Sequence, residues 1–474
     1  MISLRSAFVA ASPRLTLRAT PALSVAIYAA VALAWLLLVG RALSLDNVWA
    51  WSAGIAYILY DTVLTLLVVG MTWSFRRAPS APLATVPRPT LGVIIAAHNE
   101  ALQLPATLDA IFAQSIAADV VLIADDGSRD GTALVLEGRY GLIGGGVSVA
   151  YPLLRLMQLP HRGKAVALNA ALGAIATDIV VTIDADTRLA PDALEAIAAA
   201  FAADRNLVGA GGVLVPFCAP TPSGRVLQFF QTYEYIRNMI SRFAWMRGNC
   251  LLLISGAFAA FRTDALRAVG GFDTRSLVED YELTHRMHRY SAEHALGWRL
   301  AMIGGAQART EAPSEVSAFL RQRRRWFAGF LQTQYWNRDM TGNPRFGAVG
   351  LLMLPVKALD TLQPIYGLLS FAILIALIAS GRSAAAFSVA GLIGAKIVFD
   401  FAAFLWSVHL YRRITGGRIE TSYGMALLAA LIEPFSFQLL RHSGAAWGWI
   451  AFLSGSREWG VAARAEAAEE QPAE

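Results

Sequence analysis

Two uninterrupted apolar stretches open the chain. Ala22–Gly40 (ALSVAIYAAVALAWLLLVG) carries no charged residue and matches the roughly 20 apolar residues a bilayer crossing needs. A cleaved leader would have a shorter apolar region, about 7–15 residues, ending at a small-residue cleavage site. A second span is predicted at Trp49–Gly70, with Trp49 and Trp51 as interfacial anchors. Asp61 within it is either a functional intramembrane acid or the partner of a neighbouring helix. Arg5, Arg14 and Arg18 precede the first span, Arg76 and Arg77 follow the second, and only Arg41 lies between. This bias predicts a cytoplasmic N-terminus and a cytoplasmic segment after Gly70.

From Pro87 the pattern changes. LGVIIAAH, DVVLIADD and DIVVTIDAD are short β-branched runs that end in polar groups. Between them lie ALQLPATLDAIFAQ, GKAVALNAALGAIA and PDALEAIAAAFAAD, which have helical periodicity. Alternating strands and helices predict an α/β domain with a mostly parallel sheet. Ligands bind such sheets beyond the carboxyl ends of the strands, where the polar ends of all three runs fall.

Arg225–Arg247 has apolar residues at helical spacing with arginines between them, and predicts a helix lying in the membrane surface, with an internal core helix as the alternative. Hydrophobicity returns after Asn343. Phe346–Pro355 predicts an interfacial approach, Leu362–Ala379 and Ala384–Leu410 two further spans, and Tyr411–Arg418 a cytoplasmic basic loop. Tyr423–Leu440 is broken by Glu433-Pro434. A fifth crossing there would leave Arg441 and Arg457 outside, against the charge rule, whereas a re-entrant hairpin through Phe452 would not. The resulting organisation is two spans in 1–75, a cytoplasmic α/β domain with interfacial helices in 76–342, further interfacial and membrane helices in 343–460, and a disordered acidic tail in 461–474.

Composition narrows the class. Of 474 residues, 56% are hydrophobic and 16% charged, against about a quarter charged in average globular chains. That excludes a disordered chain and an all-soluble enzyme. A net charge of +6 suits anionic membrane faces and phosphorylated ligands, without the basic stripes of a nucleic-acid binder. Two cysteines, Cys218 and Cys250, exclude a cysteine-rich metal site.

Acidic residues mark the predicted strand ends: Asp125-Asp126-Gly127-Ser128, Asp184-Ala185-Asp186, and Glu279-Asp280 after a Gly-Gly-Phe-Asp turn. Each alone is consistent with turn chemistry. Carboxylates converging on one cleft repel, and a divalent cation with oxygen ligands offsets that repulsion, typically together with substrate phosphates. Arg162-Gly163-Lys164 opens a helix and offers backbone N–H groups and cations to an anion. It is not a Walker A loop, since Gln158 stands where that motif needs glycine. Gly144–Gly146 and Gly209–Gly212 read as turns or strand bulges. Ser255-Gly256-Ala257 precedes a strand where a ligand approaches closely. Gln322-Arg323-Arg324-Arg325-Trp326 is either a lipid-headgroup patch or a sugar-stacking surface beside a phosphate-binding cation. His285 and His288 are a weaker metal pair, with packing as the alternative.

Taken in order, Asn99-Glu100, Asp125-Asp126-Gly127-Ser128, Gly163-Lys164, Asp184-Ala185-Asp186, Ser255-Gly256, Glu279-Asp280 and Gln322-x-x-Arg325-Trp326 resemble the motifs of membrane-embedded family 2 glycosyltransferases. These include the cellulose, hyaluronan, chitin and poly-N-acetylglucosamine synthases. The resemblance covers Leu91–Gly329 and implies a GT-A fold and an inverting transfer from a UDP-sugar. It assigns Glu100, Asp125 and Asp126 to the nucleoside, Lys164 to the nucleotide or donor, and Asp184 and Asp186 to the metal diphosphate, with Asp186 the direct ligand of Mg²⁺ or Mn²⁺. Asp280 becomes the general base, and Gln322, Arg325 and Trp326 the acceptor end and diphosphate. Ala96 departs from the proline many relatives have there, and Ser291–Gly297 looks like a small insertion. The implied function is processive β-linked polymer synthesis coupled to export across the inner (plasma) membrane. Thr310-Glu311-Ala312-Pro313 and the Gln-Arg-rich approach to Trp326 look most like poly-N-acetylglucosamine synthases, which implies UDP-N-acetylglucosamine. The partners implied are a polysaccharide or lipid-linked acceptor, the bilayer and accessory export subunits. The alternative is a single transfer to a lipid acceptor.

Overall fold

A computed structural model describes residues 3–16, 18–42, 48–74, 87–142, 146–417 and 421–455. Arg76, Arg77, Gly144, Gly145, Arg418, Arg457 and the acidic tail lie outside the described residues.

The chain opens with α1 (Leu4–Ala11), α2 (Ala22–Ala42) and α3 (Ser52–Thr72). The α/β domain then alternates β1 (Leu91–Ala97), α4 (Leu104–Phe112), β2 (Val120–Asp126), α5 (Thr132–Tyr140), β3 (Leu154–Leu159), α6 (Lys164–Ala174), β4 (Ile179–Asp184), β5 (Arg188–Leu189) and α7 (Ala193–Ala203). It closes with β6 (Leu207–Phe217), α8 (Pro222–Arg247), β7 (Phe258–Arg262), α9 (Thr263–Ala268), α10 (Glu279–Glu293), β8 (Arg299–Glu311) and α11 (Val316–Trp336). The eight strands form one sheet in the order β3-β2-β1-β4-β7-β6-β8-β5. β3, β2, β1 and β4 pair in parallel, and β7 runs antiparallel between β4 and β6. Strands buried on both faces explain the continuous apolar runs that end abruptly in Asp and His. The predicted bulges at Gly209–Gly212 appear as register shifts on either side of β6 residues 209–212.

One face of the sheet packs on α4, α5 and α7, through residues such as Leu104, Leu136 and Leu194. The other face packs on α6, α8 and α9 and reaches the membrane helices through Phe404, Val408, Tyr411 and Ile414. α8 is therefore not a surface helix. Tyr233, Ile236, Ile240 and Phe243 are buried in that second core, while Trp245 joins a separate cluster with Val278 and Tyr281. Two of its intervening charged residues pair with charges elsewhere in the same chain: Glu234 with Arg323 at 2.7 Å, and Arg237 with Glu433.

After α11 come α12 (Leu354–Asp360), α13 (Gln363–Ala379), α14 (Ser383–Thr415), α15 (Tyr423–Ile432) and α16 (Phe437–Leu453). Four helical segments among the described residues are long and apolar enough to cross a membrane: Ala22–Arg41, Trp49–Thr72, Val349–Ala379 and Ala385–Thr415. α15 and α16 are bent by 51° at Glu433–Ser436, where Pro434 interrupts the hydrogen-bond ladder. Gly444 and Gly448 let α16 lie close against Arg323, Phe327 and Ala328 of α11. Arg441 faces Glu234 at 3.6 Å, so its charge is met inside the protein. Asp61 is an ion-pair partner, 2.7 Å from Lys396. Tyr411–Thr415, expected as a loop, continues α14.

Candidate active site

The carboxyl ends of β1, β2 and β4 meet over the start of α6. β2 ends in Asp125 and Asp126, both buried. Asp125 accepts the Ser128 N–H at 3.0 Å. Asp126 accepts the N–H groups of Arg162 and Gly163, each at 2.8 Å. The N–H groups expected to receive a ligand anion are thus occupied by an internal one, which fixes the β3–α6 turn. Gly163 adopts φ +98° there, a conformation open to glycine. Asn99, at φ +59°, links the ends of β1 and β2 by donating from its N–H to Ser128 Oγ and accepting from Arg129 N–H.

Lys164 follows directly. Its ammonium lies 2.5 Å from Asp184 and 3.3 Å from Glu279. Burial alone would depress its pKa, but these two carboxylates carry it above the ordinary lysine range. One lysine therefore ties the end of β4 to the first turn of α10. Burial raises Glu279, yet Lys164 and Arg325 outweigh it and hold the carboxyl below its usual value. Asp280 is pushed up by burial and by Glu279. Its two oxygens accept the N–H groups of Gly256 and Tyr281, each at 2.8 Å. A β-carbon on Gly256 would sit 3.4 Å from both Asp280 and Lys164, which is ordinary contact. The role of this residue is its N–H.

Asp186 accepts Thr187 Oγ1 at 3.1 Å and Thr310 Oγ1 at 3.3 Å. Burial, then Asp184, push its pKa up to about 6. Glu100 is raised to about 7 by burial and then by Asp186, Asp184 and Glu311. This end of the cleft holds more negative charge than its surroundings neutralise. An all-oxygen donor set with surplus charge fits Mg²⁺ or Mn²⁺, with Asp186 as the expected ligand.

Sequence reasoning missed a second group, His98, Asp126 and His161, whose ligand atoms lie within 4.8 Å of one another. The imidazoles stack at 4.0 Å between centroids. His98 Nδ1 bonds the Asp126 carbonyl at 2.8 Å and His161 Nδ1 bonds its carboxylate at 2.8 Å. Both contacts are already satisfied internally, so the surplus-charge cluster at Asp186 fits a hard cation better. Nothing in sequence spacing marks the pair, because His98 and His161 lie on different strand ends. His285 and His288 each spend one ring nitrogen on a backbone carbonyl, as the packing reading expects. Both are buried, bonding Tyr281 and Leu251 carbonyls, and burial takes His285 down to about 3.

Gln322, Arg325 and Trp326 sit on α11. Arg325 bonds the Leu277 carbonyl at 3.2 Å, just before Glu279. Gln322 Oε1 is buried without a hydrogen-bond partner, and Arg323 lies 4.5 Å over the Trp326 ring. Trp326 and Tyr281 line a cavity of about 580 Å³ that runs between α8, α11 and the helices α3, α13 and α14.

A family model described as glycosyl transferase family group 2 matches residues 179–394, which include Asp184, Asp186, Asp280 and the Gln322–Trp326 segment. Over these residues the chain is similar to the family 2 glycosyltransferases. The chain is 25% identical over 305 residues to beta-monoglucosyldiacylglycerol synthase of Synechocystis, covering 61% of this chain and 58% of that one. It is 26% identical over 263 residues to poly-beta-1,6-N-acetyl-D-glucosamine synthase of Staphylococcus epidermidis, covering 53% and 58%. The chain thus spans somewhat over half the length of these curated relatives. Its fold is shared with mannosyltransferase PcManGT of Pyrobaculum calidifontis, solved in complex with GDP-Man and Mn2+, with TM-score 0.55, 24% identity, and coverage of 82% of this chain and 99% of that one. The α/β region therefore shares the GT-A type fold of that structure, and it is joined to four helical segments, among the described residues, long and apolar enough to cross a membrane.

Proposed function

We propose that this glycosyltransferase moves a sugar from a nucleotide donor, UDP-N-acetylglucosamine, to the end of a growing β-linked saccharide at the cytoplasmic face of the plasma membrane. The observation that carries this reading is the cavity leading from Trp326 and Tyr281 into the membrane helices. Its lining is unusually ionic for a helical bundle: Lys396 pairs with Asp61 at 2.7 Å and with Asp400, Lys357 with Asp360 at 2.7 Å, Arg323 with Glu234 at 2.7 Å, and Arg237 with Glu433. Paired charges and aromatic rings suit a hydrated saccharide, and intramembrane ions of this kind face water-filled paths. The resemblance to poly-beta-1,6-N-acetyl-D-glucosamine synthases supports the donor.

In the mechanism, Glu100, Asp125 and Asp126 bind the nucleoside, and Lys164 and Arg325 bring positive charge to the donor diphosphate. Asp280, held by two N–H groups, takes the proton from the acceptor hydroxyl as that oxygen attacks the anomeric carbon from the face opposite the diphosphate. Its raised pKa makes it a stronger base than an ordinary aspartate. A divalent ion on Asp186, when bound, neutralises charge on the leaving nucleotide. Trp326 stacks the new chain end, and Gln322 offers its unbonded carbonyl to a sugar hydroxyl.

The second reading is one transfer to a lipid acceptor. It is favoured by the apolar part of the same cavity wall, Leu64, Val68, Val69 and Phe404, and by the glucosyldiacylglycerol synthase relative. Sizing the radiolabelled product made by purified enzyme in nanodiscs with excess donor separates the two. A ladder of oligomers is expected; a single-sugar glycolipid at all donor concentrations would replace the first reading by the second.

Arg242 carries a further prediction. Every other cation named above in the cavity has a carboxylate partner, whereas Arg242 has neither a hydrogen bond nor an ion pair among the described residues. Burial pulls its pKa down and Asp280 opposes this, and Arg242 lines the cavity together with Trp326 and Tyr281. Arg242→Ala is expected to raise the acceptor KM by about tenfold or more, the worth of one or two lost hydrogen bonds to a charged group, with the donor KM unchanged. An unaltered acceptor KM would remove Arg242 from the acceptor site.

A further inference from the structure

The segment before the first membrane helix packs on the helix that carries Asp280, and its contacts are specific. α1 begins with Ser3 as its cap, accepting the Ser6 N–H. It lies against the turn Gly270-Gly271-Phe272-Asp273, which leads into α10. Gly270 has φ +84°, and a β-carbon there would overlap the backbone of Phe8. The position must therefore be glycine both for its dihedral and for docking of α1. On the opposite side of the same turn, Asn169 of α6 receives the Phe272 N–H and donates to its carbonyl, both at 2.8 Å. The turn is gripped between the first helix of the chain and the helix that begins with Lys164.

Three side chains extend this grip to α10. The Arg14 guanidinium makes a two-pronged contact to Asp273, Nε to Oδ2 at 3.1 Å and Nη2 to Oδ1 at 3.0 Å, and the Asp273 side chain is only 1% exposed. The Phe8 ring lies under Arg286 at 4.8 Å. Arg286 is fully buried and joins α10 to the turn, bonding Glu282 at 2.7 and 2.8 Å, the Gly271 carbonyl at 2.8 Å and the Val269 carbonyl. Arg18 pairs with Glu293 at the far end of α10, with one contact at 3.0 Å. A few residues later α2 begins, and Ser24 bonds the Arg338 carbonyl after α11.

We propose that Phe8 and Arg14 are positioning residues for the general base, and that the N-terminal arm sets the register of α10, hence of Asp280, from the first membrane helix. The inference rests on the assignment of Asp280 as base. Physically, an ion pair with a buried carboxylate and a backbone socket fix a turn much more tightly than surface pairs do. The turn lies seven residues before Asp280. A displacement of about 1 Å in a reacting group is enough to cost on the order of 10²-fold in rate.

The test uses the full chain in nanodiscs, with Arg14→Glu, Asp273→Arg, the double variant that restores the pair in reverse, and Phe8→Leu as a milder probe. Steady-state kinetics are combined with hydrogen exchange over α10. Each single charge variant is expected to lower kcat by about 10–100-fold with the donor KM within twofold, and to speed exchange in α10. The double variant should regain most of both, and Phe8→Leu should show a smaller loss of the same kind. Faster exchange in α10 with unchanged kcat, or a double variant no better than either single one, would overturn the proposal. If Asp280→Asn kept full turnover while the arm variants still altered kcat and exchange, the base assignment would fail and the coupling of arm to α10 would stand.

Discussion

Asp280→Asn is expected to bind the donor nucleotide within about twofold of the unaltered enzyme while transferring sugar some 10²–10⁴-fold more slowly, the usual worth of a general base. The separation follows from where the carboxylate sits. Its oxygens accept from Gly256 and Tyr281, not from the strand-end residues proposed to hold the nucleoside. Asn keeps one acceptor oxygen and turns the other contact into facing N–H groups, a cost of about 1–3 kcal/mol, which a domain with this core survives. The pH profile gives an independent reading. Burial and Glu279 raise the Asp280 pKa, so the base takes up its proton at a higher pH than an unperturbed aspartate. Turnover should decline on the acid side at a higher pH than an ordinary aspartate would give. In Asp280→Asn the residual activity should lose that contribution and keep only the acid limb set by Asp186 and Glu100. Calorimetric titration with UDP and initial rates across pH measure both parts. Equal loss of binding and turnover would place Asp280 in donor binding and take the base role from it.

The strands were legible because a doubly covered sheet leaves long apolar runs, and the same runs ended where the acids began. The spans were legible for the simpler reason of length. What periodicity could not supply was the environment of α8. A helix with arginines among aromatic residues looks alike whether its charges meet lipid headgroups or carboxylates from elsewhere in the chain. Here Glu234 of α8 meets Arg323 of α11 and Arg441 of α16, and Glu433 at the bend before α16 joins them, and only the fold unites these charges. The acids at Asp126, Asp184, Asp186 and Asp280 were found because each follows a strand or opens a helix with a recognisable local sequence. Lys164 was found as well, but its bridge to both Asp184 and Glu279 depends on α6 and α10 meeting end to end. His98 and His161 escaped notice because stacking between two strand ends leaves no periodic trace. The bend at Pro434 was visible, whereas the reason α16 turns along α11 was not. It lies in Gly444 and Gly448, which admit Arg323 and Phe327 of α11.

Removal of the divalent ion should be the other large effect, and the fold itself should register it. Asp186 is raised to about 6 and Glu100 to about 7 by burial and by neighbouring carboxylates, above the unfolded values near 3.9 and 4.3. A carboxyl raised on folding favours its protonated form. That contribution is full below the unfolded pKa and is lost as pH rises through about 6–7. At pH 7.5 the ion-free protein therefore carries an unrelieved anionic cluster, worth about 3 kcal/mol for Asp186 alone at 1.4 kcal/mol per unit. Mg²⁺ or Mn²⁺ should raise the melting temperature clearly at pH 7.5 and much less at pH 5.5, where protons already fill the site. Asp186→Ala should melt higher than the unaltered protein without metal, gain nothing from adding it, and lose transfer by about 10²-fold or more, as chelation by EDTA does to the unaltered enzyme. Differential scanning fluorimetry with and without metal at the two pH values reads the stability arm apart from activity. A metal response that persists in Asp186→Ala and disappears in His98→Ala or His161→Ala would move the ion to the imidazole pair beside Asp126. The cation would then act on the nucleoside side of the cleft, and charge on the departing diphosphate would fall to Lys164 and Arg325 alone.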